Sequence, residues 1–258
     1  MRLMKRILSA AAVLALSASL LVGCSSGTAS SVPVSASSAA ESTVSSVEET
    51  ASSAVDENEA AAAQLLNDLT GSYQELWPVI LADGYKQTWL DVCTALVGED
   101  NAEAAFEKLS SMVTGDVYGE DAVKAYANGG GAYFCGFTNS LAILTFDGET
   151  STISGTDKDG NVLFSHTYHY IGMEPVHGLY EFESDDADSG EFTYFFLAPD
   201  TSAETYHIEF RYGSDAEALS QYDAGEYAYW VASGISTDCD QTMIDNCIEL
   251  FCTENLAG

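Results

Sequence analysis

Along this chain the apolar positions change period near Gly131. Upstream they recur at i, i+3 and i+4, the spacing that lines one face of a helix. NEAAAAQLLNDL (58–69) fits a leading helix, and GYKQTWLDVCTALVG sets Trp89, Leu90, Cys93, Leu96 and Val97 on one face. NAEAAFEKLSSMV and DAVKAYA predict two more. Downstream the period falls to two: AYFCGF, SLAILTF, DGETSTISG, TDKDGNVLF and HTYHYIG, then, past the acidic bend ESDDADSGE, FTYFFLA, ETYHIEFRYG and GEYAYWVASG. DG and DGN between them are hairpin-turn chemistry, able to take positive φ. The tail DQTMIDNCIELFC returns to helical spacing. About eight short strands predict a closed antiparallel barrel, because closure removes exposed edges. The expected fold is mainly β, with an N-terminal helical segment and a C-terminal helix.

The first 60 residues break this picture. Residues 1–23 combine a basic start (Arg2, Lys5, Arg6) with an apolar run too short to span a membrane comfortably, and the run ends LVGC. This resembles a bacterial lipoprotein box, which implies cleavage before Cys24 and lipidation of that cysteine. More than one acyl chain, at about 0.8 kcal/mol per buried methylene, holds such a protein at the membrane. Residues 25–60 are almost wholly Ser, Ala, Thr, Val and Glu without an aromatic, too little apolar surface to offset ordering entropy. They read as a flexible tether with a reach of roughly 30 to 36 Å. The expected organisation is a signal peptide at 1–23, a lipidated cysteine and tether at 24–60, and one domain at 61–258, lipid-anchored on the extracytoplasmic face of the cell membrane.

Charge narrows the partners. The processed chain keeps five basic residues against 40 acidic ones, a formal net charge of −35. Such a surface repels nucleic acid and anionic headgroups and draws cations, although diffuse charge also serves solubility alone. Beyond Cys24 there are five cysteines, an odd number, so one or two disulfides are permitted and at least one thiol is left over. No CxxC is present. Cys247 shares an apolar face with Met243, Ile244, Ile248 and Phe251 and reads as a buried small hydrophobe.

Catalytic motifs are missing: there is no GxSxG, HExxH, P-loop or GxGxxG, and no carboxylate pair stands out. A non-enzymatic protein is expected. DKDGN (157–161) has the alternating acids of a calcium loop but lacks its distal glutamate, and reads better as a hairpin turn. DDADSGE (185–191) reads as an exposed acidic tip. Four histidines remain, at 166, 169, 177 and 207. If HTYHYIG is a strand, His166, Tyr168 and Tyr170 face one way and His169 the other, so its two imidazoles cannot share a metal. His207 alternates with Glu209 and Arg211 on a polar face.

Two landmarks point to a family. LLNDLTGSYQELWPVIL (65–81) places Asp68, Gly71, Tyr73, Gln74, Trp77 and Pro78 at the spacing that opens the ZinT/YodA domain, and HTYHYIG resembles its tyrosine-x-tyrosine-x-glycine strand through Tyr168, Tyr170 and Gly172. AYFCGFTNSLAILTF and ETYHIEF are similar to two further segments. The resemblance covers about residues 62–236. It implies a lipocalin-like (calycin) barrel, an exported or surface-attached protein, and zinc or cadmium held at the barrel mouth by three histidines in support of zinc uptake. Those ligand positions fall near Gly213 and, on GEYAYW, at Gly225 and Tyr227 or at Glu226 and Ala228, so none is a histidine here. A metal would need His207, His169 or His166 from neighbouring strands, with Glu226, Asp215 or Asp223 as oxygen ligands. The leading expectation is a surface-anchored lipoprotein binding zinc or another divalent cation, working with a metal-uptake transporter. The alternative is a degenerate calycin that binds a small apolar molecule or a protein partner inside its aromatic barrel, without metal.

Overall fold

The computed structural model describes residues 57–256. The signal peptide, Cys24 and the tether up to residue 56 lie outside the described residues. Helix α1 (57–68) is already under way at residue 57, inside the span read as tether, and ends near the expected place. Next come strand β1 (Gly71–Glu75), α2 (Leu76–Ile80), α3 (Lys86–Val97), α4 (Glu99–Ser111) and α5 (Glu120–Ala127). Seven strands follow: β2 (Ile143–Asp147), β3 (Thr152–Thr156), β4 (Val162–Met173), β5 (Tyr180–Ser184), β6 (Tyr194–Leu197), β7 (Ile208–Gly213) and β8 (Ala232–Ser236). Short helices α6 (Ser202–Thr205) and α7 (Ala216–Leu219) flank β7, and α8 (Gln241–Leu256) closes the described chain.

Eight strands in chain order form a closed, wholly antiparallel barrel in which β1 pairs with both β2 and β8. The lipocalin-like architecture with helices before and after it is therefore the observed one. The membership differs from the pattern in four places. TDKDGNVLF and HTYHYIG merge into the single long β4, and AYFCGF forms only isolated bridges through Phe134. GSYQE and YEFES, unread as strands, complete the eight. The strand expected from Glu204 starts only at Ile208. Thr201 and Glu204 form a reciprocal capping box that starts α6, and Tyr206 ends it in the left-handed region (φ 65°).

Register shows which side chains fill the lumen. Tyr73 pairs with Leu144, Phe146 with Ile153, Gly155 with Phe164, Phe182 with Phe195, and Phe195 with Tyr212. Directly paired residues point the same way. The result is a column of rings: Phe164 stacks on Phe192 at 4.0 Å, and Phe195 and Phe210 lie 5.3 and 5.9 Å from Tyr212. The lumen is packed with the protein's own aromatics, as expected of a small barrel.

The outside of the wall is covered unevenly. Helix α8 buries Ile244, Cys247, Ile248, Phe251 and Cys252, an i, i+3/i+4 stripe, so the buried reading of Cys247 holds. Each such side chain contributes about 1.5–3 kcal/mol. α8 packs on α3, α4 and α2, and α2 packs on β8. The outer face of β7 is buried as well: every residue of that strand is, including Glu209 and Arg211, and α7 packs on it. β4 alternates buried and exposed along its length, with Phe164 and Tyr168 inward and Ser165, Thr167 and His169 outward. Among the described residues no helix is long and apolar enough to cross a membrane.

Candidate functional site

β4 separates its imidazoles as its period requires. His166, on the lumen side, places Nδ1 2.7 Å from Asp186, whereas the exposed His169 places Nδ1 2.7 Å from Asp185. Both aspartates belong to DDADSGE. That segment is exposed, as expected, yet it is also a strap that engages both faces of β4. DKDGN is the hairpin turn: Asp157 accepts from the backbone N–H of Asp159 and Asn161, and hydrogen bonds from Asn161, backbone and side chain, hold its carboxyl below the usual range.

The other nominated ligands are dispersed and engaged. His207 is buried, with Nδ1 2.7 Å from the Thr205 carbonyl and Nε2 3.6 Å from Glu209. It sits on the expected face of β7, but that face is roofed and not a solvated polar surface. Asp215 is the N-cap of α7 and accepts from the Ala218 N–H. Glu226 and Asp223 are exposed in the loop before β8. His177 lies against Tyr222, with ring centres 3.8 Å apart, and 3.4 Å from Glu174.

The barrel mouth is more informative. Gly213 ends β7, and a Cβ there would lie 2.5 Å from the Tyr227 hydroxyl. Two positions that the family resemblance marks as ligands are thus in contact, with glycine at one making room for the phenol of the other. The Tyr227 hydroxyl donates to Glu191 at 3.1 Å and accepts from the Ser214 N–H at 3.2 Å, and the Ser214 hydroxyl donates to Glu191. Burial pushes the Tyr227 phenol up despite its Ser214 hydrogen bonds. Burial likewise raises Tyr118, with the negative charges of Glu191 and Glu226 adding to it. Beside this cluster an open cleft of about 500 Å³ is lined by Tyr118, Glu120, Asp121 and Glu226.

Arg211 fixes the mouth. From the buried outer face of β7 its guanidinium donates to the carbonyls of Leu219, Gln221 and Tyr227, and it lies 4.3 Å from the Tyr222 ring centre. GEYAYW is therefore a loop clamped by a buried cation and not a barrel strand. Burial pulls the guanidinium below its ordinary value, and neighbouring Tyr222, Tyr133 and Glu174 oppose that pull. Glu191 was not singled out from sequence, and Arg211 was read only as part of a polar strand face with His207 and Glu209.

These residues do not fit a three-imidazole zinc centre. Among the described residues no group of three or more His, Cys, Asp or Glu side chains is gathered closely enough to hold a metal ion. The donors that meet at the mouth are a phenol, a carboxylate and a hydroxyl, which are hard oxygen ligands.

A second concavity lies outside the barrel. Trp77, Pro78, Leu81, Val113 and Phe134 line a groove of about 340 Å³, with Glu75 at its edge. Gly136 keeps its wall thin, because a Cβ there would meet the Glu75 carboxylate at 2.8 Å and the Phe134 ring at 3.0 Å. The Trp77 indole N–H is shielded from solvent, beside the Cys135 thiol.

No family model matches the chain, and no curated protein matches it. Two solved structures are similar. One is the Zn(II)-bound ZinT-like domain of Streptococcus pneumoniae AdcA, 16% identical, covering 71% of this chain and 89% of that one, with a TM-score of 0.45. The other is Zn(II)-bound AdcA from the same organism, 16% identical over 72% of this chain, with a TM-score of 0.43. The chain spans about a third (35%) of the latter's length. The barrel assignment stands on this chain's own strand pairing.

Proposed function

We propose that the protein is a non-catalytic binding protein on the calycin frame, held on the extracytoplasmic face through Cys24, whose ligand is a small, largely apolar molecule seated in the Trp77 groove. The carrying observation is the pairing of a lumen filled by its own rings with an apolar groove on the outer wall. A mostly apolar concavity of this size suits a small, largely apolar ligand. Titrating the mature chain with the neutral probe N-phenyl-1-naphthylamine tests this. Saturable one-to-one fluorescence enhancement, lost in Leu81→Arg, is expected; no saturable enhancement would sink the reading.

A divalent cation, with zinc the ion the family resemblance implies, is the second reading. Its specific support is the contact of positions 213 and 227 beneath Glu191, next to the acidic cleft at Glu226. Oxygen donors favour weak binding, and in this reading the protein would concentrate the cation for a metal-uptake transporter. Calorimetry with zinc at near-physiological salt decides it. A micromolar or tighter site weakened by Glu226→Ala together with Glu191→Ala supports it, and its absence removes the metal reading.

A further inference from the structure

Helices α3 and α8 come from opposite ends of the domain, and each turns one cysteine into their shared interface. The Cys93 and Cys252 sulfurs are 4.0 Å apart and both residues are fully buried. Cys135, Cys239 and Cys247 are separate from this contact: Cys135 lies against the Tyr133 carbonyl, and Cys247 lies on the part of α8 that carries Ile244 and Ile248. A disulfide needs the sulfurs at about 2.05 Å, so the contact closes by an approach of about 2 Å.

We propose that Cys93 and Cys252 are the disulfide pair of this chain, closing during folding to tie the N-terminal helical layer to the C-terminal helix. Two S–H bonds break and one S–S bond forms. The two protons and two electrons pass to a dithiol–disulfide oxidant, whose own disulfide becomes two thiols. In the folded thiol form burial raises both sulfurs' pKa, so little thiolate is present and the folded pair exchanges slowly. The bond is therefore structural and closes as α8 docks, before burial of the two sulfurs is complete. It joins the ends of a long loop, which is where a cross-link restricts the unfolded chain most. That an oxidant meets this chain in the cell rests on the extracytoplasmic reading, but the pairing does not.

The test separates the two. The denatured, reduced full chain is refolded in a glutathione redox buffer, alkylated without reduction, digested and read by mass spectrometry. A linked peptide pair carrying Cys93 and Cys252, with Cys24, Cys135, Cys239 and Cys247 alkylated, is the expected result. Six alkylated cysteines, or a link between any other two of the six, would overturn the proposal. The refolded chain should also lose roughly 5–15 °C of Tm on adding dithiothreitol. In Cys252→Ser that shift should vanish, and an unchanged shift would refute the assignment. The same peptide map of chain taken from its producing cells reports on export alone.

Discussion

Strands β4 and β7 carry nearly the same outward chemistry and meet different fates. β4 turns Thr167 and His169 outward and leaves them in solvent, where His169 finds Asp185. β7 turns Glu209 and Arg211 outward, with His207 just before it, and all three are buried under other elements. Period-two alternation tells which face a residue occupies but not what lies above that face. A polar side chain on an open wall costs little, whereas under a roof it must be satisfied. Polar residues on β4 are accordingly surface decoration, and Arg211 on β7 organises the mouth.

The largest break in this contrast is Arg211→Met. It leaves the carbonyls of Leu219, Gln221 and Tyr227 without their donor inside the protein, and destabilisation of about 3–5 kcal/mol is expected. Urea unfolding followed by tryptophan fluorescence measures it. A loss below about 1 kcal/mol would show that the loop holds itself. Gly213→Ala probes the same clamp two residues further along β7, on the face that carries Arg211. Its Cβ would displace the Tyr227 ring at a cost of about 1–3 kcal/mol. Combined with Tyr227→Ala, most of that overpacking cost should disappear, and simple additivity of the two would mean that the contact is not the cause.

Acid should act at the β4–β5 turn before it acts on the walls. Glu174 is buried there and accepts from the N–H groups of Val176 (2.9 Å) and His177 (2.6 Å). Burial raises its pKa, but the His177 and Val176 hydrogen bonds outweigh that and leave it below the usual carboxylate value. A folded pKa below the unfolded one means stability present above about pH 4.5 and lost as pH falls through the folded value. Glu174→Gln should cost about 1–2 kcal/mol at pH 7. It should also flatten the acid limb of a stability–pH curve below pH 4.5, and an unchanged limb would assign acid sensitivity to other carboxylates.

The barrel was legible because its causes are local. Alternation, turn residues and the helical tail placed six of the eight strands, and the family landmarks proved to be scaffold: Tyr73 faces the lumen, Trp77 packs 4.9 Å from Phe251, and Tyr168 fills the wall beneath Phe195. β1 and β5 escaped notice because GSYQE sits among helical runs, directly before α2, and the end of YEFES overlaps the acidic bend ESDDADSGE. The mouth was half legible. Positions 213 and 227 could be named in advance from the resemblance, but their contact, and the arrival of Glu191, depend on Arg211 folding the 219–227 loop across the mouth. A buried arginine and a solvated one look the same in one sequence. The groove was illegible for the same reason, since it lies between α2 and the bridge at Phe134, segments far apart in the chain.

The smallest effect sharpens the contrast most, because the two strands make opposite forecasts for one kind of substitution. His169 and Asp185 are each about half exposed, in a pair at 2.7 Å. Ordering two exposed side chains cancels much of what their attraction contributes, and salt screens the rest. His169→Ala should therefore change unfolding stability by no more than about 0.5 kcal/mol, as should Asp185→Asn, and the double variant should show a coupling near zero. His207→Ala, beneath the roof, should cost at least about 1–3 kcal/mol, because it empties a buried position and strips the Thr205 carbonyl of its neighbour. Equal costs at the two histidines would mean that coverage of the wall does not decide what a polar strand residue contributes.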